Sequence, residues 1–325
     1  MEAFADYISA TKAKIKAERQ RYNQPCDKMV VDMNAPFELR PESKVPAGEK
    51  YQKGVLLVHG FLDSPYTMRS VAKIYQSQGF LVRSVLLPGH GSDSQALRQV
   101  SVKDWQGVVD YGLQSLSQDS DEIHVCGFSL GGALACLAME KHKLASLCLL
   151  APALKLSKIS TLALPILHGL SQIKWLAKLD WINIKGQPAD LVRYNSFPVL
   201  AGKSVTQLVA QAKAQLDRHP IKIPLFIVAT CEDETVKFSA IYKVFKQAKH
   251  FHKAAVIFST KQDLHHPGVK VIKTKNSHIG LPVAPEDPYL GKEYSVKATK
   301  EHLHYHRLTY NPDFRALREA LINWL

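Results

Sequence analysis

Gly127-Phe128-Ser129-Leu130-Gly131 sets a serine two residues from a glycine on either side. That spacing suits a nucleophilic hydroxyl when a strand leads into it and a helix leads away. The turn is so sharp that the residues two before and two after the serine crowd each other. Gly127 and Gly131 have no Cβ and fit there. The N-terminus of the following helix would favour negative charge developing near Ser129. A helix-capping serine is the plainer reading of Ser129 alone, but it leaves both glycines without a reason. His302, His304 and His306 form a second group with a chemical reading. On a strand they would face one way and could hold Zn²⁺. A solvated, mixed segment is the bland account of the same residues.

The elements that must position Ser129 follow from periodicity. Gly54–His59 is a short apolar run, which reads as a strand buried on both faces. Thr67–Gln78 reads as a helix, Phe80–Leu87 as a strand and Lys103–Leu116 as a helix. Glu122–Cys126 is the strand before the serine, Leu130–His142 the helix after it, and Ala145–Leu150 the next strand. Such alternation predicts an α/β fold with a mostly parallel sheet flanked by helices. Ligands then bind beyond the C-terminal strand ends. After Pro152 the alternation stops. Residues 153–220 read as helical with no clear strand, and Val205, Leu208, Val209, Ala212 and Leu216 mark one amphipathic helix. Ile159–Leu179 is more apolar and is interrupted by Pro165 and Gly169. This stretch is expected to be a cap inserted into the sheet. The sheet resumes at Ile223–Thr230, followed by a helix over Lys237–Lys249. Strands are expected at Ala255–Phe258 and Val269–Thr274, with a closing helix at Phe314–Leu325. One domain is expected, with its core at about 29–152 and 221–325, the cap at about 153–220 and an N-terminal helix at about 3–22.

Composition bounds the partners. The 325 residues are 46% hydrophobic and carry a net charge of +13 at pH 7. The basic residues are spread along the chain and form no nucleic-acid module, so nucleic acid is not expected as a partner. The surplus charge favours anionic interfaces weakly. In the N-terminal helix, Phe4, Ile8, Ile15 and Tyr22 share a face, with Lys12, Lys14, Lys16, Arg19 and Arg21 around it. Packing on the domain is the first reading of this thin stripe, and peripheral membrane contact is the alternative. The five cysteines show no paired spacing, and four of them sit in apolar or small-residue segments, which reads as buried free thiols in a reducing compartment. The start MEAFADYISA has no apolar signal region, and no run reaches the roughly 18 apolar residues of a membrane span. A soluble, cytoplasmic protein is expected.

Five segments resemble the α/β-hydrolase carboxylesterases and monoacylglycerol lipases that carry a helical cap. They are Leu57-Val-His-Gly-Phe61 with Asp63-Ser-Pro65, Leu87-Pro-Gly-His-Gly91, Asp104-Trp105, Gly127–Gly131 and Asp233-x-x-Val236, with Ser277-His278 as a weaker sixth. The resemblance implies an α/β-hydrolase fold. It implies that the acid follows the strand after the cap, which here is Asp233, with Glu232 and Glu234 as close neighbours. It implies a base after the last core strand, where His278 stands and His265 and His266 are rivals. The order Ser129, Asp233, His278 is the order of that fold. The oxyanion donors would be the backbone N–H groups of Phe61 and Leu130, with His59 and Gly60 shaping the loop and His90 reading as a turn residue.

The implied reaction is hydrolysis of a carboxylic ester with an apolar acyl group, such as a monoacylglycerol or lysophospholipid, with no cofactor. The alternatives are a thioesterase or amidase on the same triad, or a non-catalytic interaction protein on a hydrolase scaffold. The sequence leaves the oligomeric state open. Metal analysis of the purified protein tests the His302, His304, His306 reading: absence of bound Zn²⁺ removes it.

Overall fold

The computed structural model describes residues 3–43, 45–46, 48–157, 180–184, 190–261, 264–301 and 308–325. In chain order it begins with α1 (Phe4–Arg21), α2 (Lys28–Asn34), β1 (Phe37–Leu39) and β2 (Tyr51–Val58). Then come α3 (Arg69–Ser77), β3 (Leu81–Val85), α4 (Val102–Asp119), β4 (Ser120–Phe128), α5 (Leu130–Ala138) and β5 (Ser146–Leu150). The segment after β5 holds β6 (Trp181–Asn183), β7 (Ser196–Pro198) and α6 (Val199–Arg218). The chain closes with β8 (Leu225–Thr230), α7 (Phe238–Gln247), β9 (Lys253–Phe258), β10 (Val269–Ile272), α8 (Lys292–Glu301) and α9 (Phe314–Trp324).

Eight strands form one sheet in the order β1-β3-β2-β4-β5-β8-β9-β10. Only β1 runs antiparallel to its neighbour, and every other adjacent pair is parallel. All residues of β5 and β8 are buried, which explains their unbroken apolar runs: helices cover both faces. The parallel α/β sheet expected from the alternation is observed, and it fits the α/β-hydrolase fold that the resemblance implies. Helix α4 shows how the sequence sets one element. Ser101 and Asp104 form a reciprocal capping box at its start. Trp105, Val109, Leu113 and Leu116 then share its buried face.

Three expectations need correction. Residues 153–220 are not free of strands, because β6 and β7 pair antiparallel from Trp181↔Pro198 to Asn183↔Ser196. Each strand has three residues, too few for a period of two to show. The expected amphipathic helix is α6, which buries Val205, Leu208, Val209, Ala212 and Leu216. Ile159–Leu179 lies outside the described residues, as do His302, His304 and His306. Second, Arg19, grouped by the sequence with the cations around the apolar face of α1, belongs to the buried side. It is buried, and its guanidinium donates to the carbonyls of Gly91 (2.8 Å), Pro25 (2.7 Å) and Leu191 (2.9 Å). Third, Cys126, Cys136 and Cys148 are buried, but Cys231 is half-buried because it lies just beyond the end of β8. No helix among the described residues is long and apolar enough to cross a membrane.

Replacing Ser101 by Ala removes one side of the capping box. It is expected to lower stability by about 1 kcal/mol in urea unfolding. A loss near zero would mean that the box does not hold the start of α4.

Candidate active site

Strand β4 ends at Phe128 and α5 starts at Leu130, so Ser129 alone makes the turn. Its backbone sits at φ +52°, ψ −113°, a strained conformation for a residue with a Cβ. The glycines leave no alternative. A Cβ on Gly127 would lie 2.3 Å from the Gly131 carbonyl oxygen, and one on Gly131 would lie 2.1 Å from that of Val58. The Ser129 N–H donates to Leu150 O at 2.9 Å, and its side chain makes no capping bond to the helix. The hydroxyl instead lies 2.9 Å from His278 Nε2 and can donate to it.

His278 is carried by the loop after β10. Its Nδ1–H donates to Asp233 Oδ2 at 2.6 Å, and the Asp233 side chain is fully buried. The Asp233-x-x-Val236 pattern has a local reason: Asp233 Oδ1 accepts the N–H groups of Thr235 (2.7 Å) and Val236 (2.9 Å), which fixes the carboxylate before it meets the imidazole. Glu232 turns away, taking the N–H of Thr260 at 3.0 Å. His265 is exposed, and His266 packs edge-on against Tyr242 and Phe245, so neither joins Ser129.

The side of the site around Phe61 is built from the loops after β2 and β3. His59 Nε2 accepts the N–H of Leu87 at 3.0 Å while its Nδ1–H donates to Gly60 O at 2.8 Å. His90 returns the contact: its Nε2 accepts the N–H of Leu62 at 3.1 Å, and its Nδ1–H donates to Leu87 O at 3.1 Å. Both imidazoles act as acceptors and so must be neutral. Burial holds His59 well below the usual histidine range and His90 down to about 4. Gly60 lies against the Phe128 ring, where a Cβ would be 3.1 Å from it and 3.3 Å from Ser129 Cβ. The chain thus passes close to the serine just before Phe61. The amides of Phe61 and Leu130 donate to no acceptor among the described residues.

A buried charge cluster beside this site was not visible in the sequence. Arg193, on the limb leading to β7, has its side chain 2% exposed and lies 3.5 Å from Asp63. It also donates to Ile279 O at 3.0 Å. Burial pushes Asp63 up to about 6 and raises Asp190, and Arg193 opposes both shifts. The only local signal was two charges, Asp190 and Arg193, in a stretch without periodicity. Among the described residues, no group of three or more His, Cys, Asp or Glu is placed to hold a metal.

The neutral histidines give the fold a pH dependence. His124 on β4, held down to about 4 by burial, joins His59 and His90. All three lie below the ordinary 6.5, so as pH falls the unfolded chain takes up their protons first. Asp63 and Asp190 work in the opposite sense, with folded values above the ordinary 3.8, but they are two groups against three. Stability in urea is expected to be full above about pH 7 and to fall between about pH 6.5 and 4. An unfolding midpoint that stays flat over that range contradicts the account.

Residues 49–262 match the family described as serine aminopeptidase, S33. The chain is 31% identical over 183 residues to a thermostable monoacylglycerol lipase of Bacillus sp. (strain H-257), spanning 56% of this chain and 71% of that protein. It is 31% identical over 84 residues to a carboxylesterase of Bacillus subtilis (strain 168), spanning 26% of this chain and 34% of that one. The structure of a Paleococcus ferrophilus monoacylglycerol lipase superposes with a TM-score of 0.56 at 17% identity, covering 89% of this chain and 99% of that one. The family match stops before His278, which only the fold brings to Ser129. With two thirds of its length matched and a parallel sheet carrying the serine turn, the chain belongs to the serine aminopeptidase S33 family and is an α/β-hydrolase of the lipase and esterase type.

Proposed function

We propose that this lipase- and esterase-type hydrolase cleaves carboxylic esters by acyl transfer through Ser129, His278 and Asp233. The observation that carries the reading is the unbroken line of hydrogen bonds from Ser129 Oγ through both ring nitrogens of His278 to Asp233 Oδ2. In the proposed reaction, His278 Nε2 takes the serine proton as Oγ attacks the ester carbonyl. Asp233 keeps the proton on Nδ1 and stabilises the imidazolium. The amides of Phe61 and Leu130 receive the oxyanion, and each such donor typically lowers the barrier by about 3–4 kcal/mol. His278 then gives its proton to the leaving alcohol. A water molecule, deprotonated by the same nitrogen, releases the carboxylic acid and restores Ser129.

For the acyl group we propose an apolar chain. The half-buried Phe61 ring, edge-on to Phe197 and to Trp105, supports this on the oxyanion side. The name of the Bacillus H-257 relative supports a monoacylglycerol as the natural ester. A lysophospholipid has the same acyl chemistry. The segment of about 153–220 would cover the acyl chain, between core portions of about 29–152 and 221–325. The family description favours one second reading, amide cleavage on the same triad.

A fluorophosphonate probe is expected to label the wild-type protein and not Ser129→Ala. Asp233→Asn is expected to lower kcat about 10⁴-fold. Hydrolysis of p-nitrophenyl esters of graded acyl length is expected, with p-nitroanilides inert. Labelling of Ser129→Ala would sink the nucleophile. Labelling of Ser129 with every ester inert would move the reading to amides or thioesters.

A further inference from the structure

Five residues, Asp190 to Tyr194, lead the insertion into β7, and they contact the loops after β2, β3 and β10. Asp190 Oδ1 accepts the N–H groups of Val192 (2.8 Å) and Arg193 (2.7 Å), which turns the chain inward. The Leu191 carbonyl accepts from Arg19 of α1 and, at 2.8 Å, from Asn34 of α2, and the Leu191 N–H donates to Tyr289 Oη at 3.0 Å. The Tyr194 N–H donates to Leu62 O at 2.8 Å, one residue past Phe61. The Tyr194 hydroxyl accepts the Ser92 N–H at 2.8 Å and reaches Gly89 O at 3.3 Å.

Arg193 stands at the centre. One edge of its guanidinium faces Asp63, whose other oxygen accepts from Thr67 Oγ1 at 2.9 Å. Nη2 donates to the carbonyl of Ile279, the residue after His278. A planar fork with five donors can serve a carboxylate and a carbonyl in fixed relation, and a lysine ammonium cannot. Two buried carboxylates, Asp63 and Asp190, have this cation in common. Burying such a charge is tolerated only when it is paired.

Resting on the triad reading above, we propose that Arg193 is a positioning residue for hydrolysis. It clamps the loop that carries the Phe61 amide to the loop that carries His278, and so fixes the oxyanion donor relative to the base. The insertion is then a working part of the catalytic frame as well as a cover. The clamp acts on the geometry of attack and not on substrate affinity, so its loss lowers kcat and leaves KM nearly unchanged.

The test uses the full chain with Arg193→Lys and Asp63→Asn. Arg193→Lys keeps a cation beside both carboxylates. Asp63→Asn keeps the shape and leaves Arg193 its bond to the Ile279 carbonyl. Both are expected to fold, as judged by thermal unfolding and near-UV circular dichroism. Both are expected to lose about 10- to 100-fold in kcat on a p-nitrophenyl ester, with KM within about three-fold. The fluorophosphonate labelling rate should fall in parallel. A folded variant of either kind with wild-type kcat overturns the proposal. So does a loss confined to KM. If neither variant folds, the cluster is a folding element and the proposal also falls. Failure of the triad itself shows separately, as a wild-type protein that the probe does not label at Ser129.

Discussion

The first turn of α5 presses on the end of β2 so closely that one carbon atom on Gly131 would overlap the Val58 carbonyl. The rest of the site depends on that approach. It forces the chain to reverse within one residue, and Ser129 takes a positive φ as a result. The reversal lifts the hydroxyl off the sheet and toward the loop after β10, where His278 meets it. It also brings Gly60 against Phe128, which sets the path of the chain into Phe61. The strain of Ser129, of the order of 1–3 kcal/mol, is sustained by the buried strands on either side. Packing of glycine on carbonyl, more than any single hydrogen bond, is what makes the serine available.

Much of this was legible because it is local. Continuous apolar runs gave β2, β5 and β8, and the glycines around Ser129 have a steric cause within five residues. Asp233 was named through the family resemblance, and its pattern proves to have a local cause, since its two backbone acceptor bonds fall within three residues of it. His278 was harder. Its partners are 45 and 149 residues away, and only the order of the strands points to it. What stayed hidden was long-range pairing between short or aperiodic pieces. β6 and β7 have three residues each and meet across the insertion. Arg19 looked like a surface cation because its helix carries several, and the three carbonyls that capture it lie in separate loops. Arg193 was hidden for the same reason. A charge in an irregular stretch has no period by which its burial could be read.

The two interlocked histidines show how a polar residue serves as scaffold. His59 and His90 each accept a backbone amide from the other's loop and donate to a carbonyl. Buried backbone groups need such partners when no strand is present to supply them. The loops after β2 and β3 are therefore as well bonded as a sheet while following a path that no sheet could take. That path puts the Phe61 amide beside the serine turn.

Arg19 carries a different consequence. The family match begins at residue 49, yet the insertion's return limb is held from outside that boundary, by Arg19 of α1 and Asn34 of α2 on the Leu191 carbonyl. The opening helices are thus a brace for a segment that enters the chain some 150 residues later. A change in the leading helices that removed Arg19 or Asn34 would leave the Leu191 carbonyl without that partner. A transplant of the insertion into a relative without that brace would deliver its residues but not their alignment.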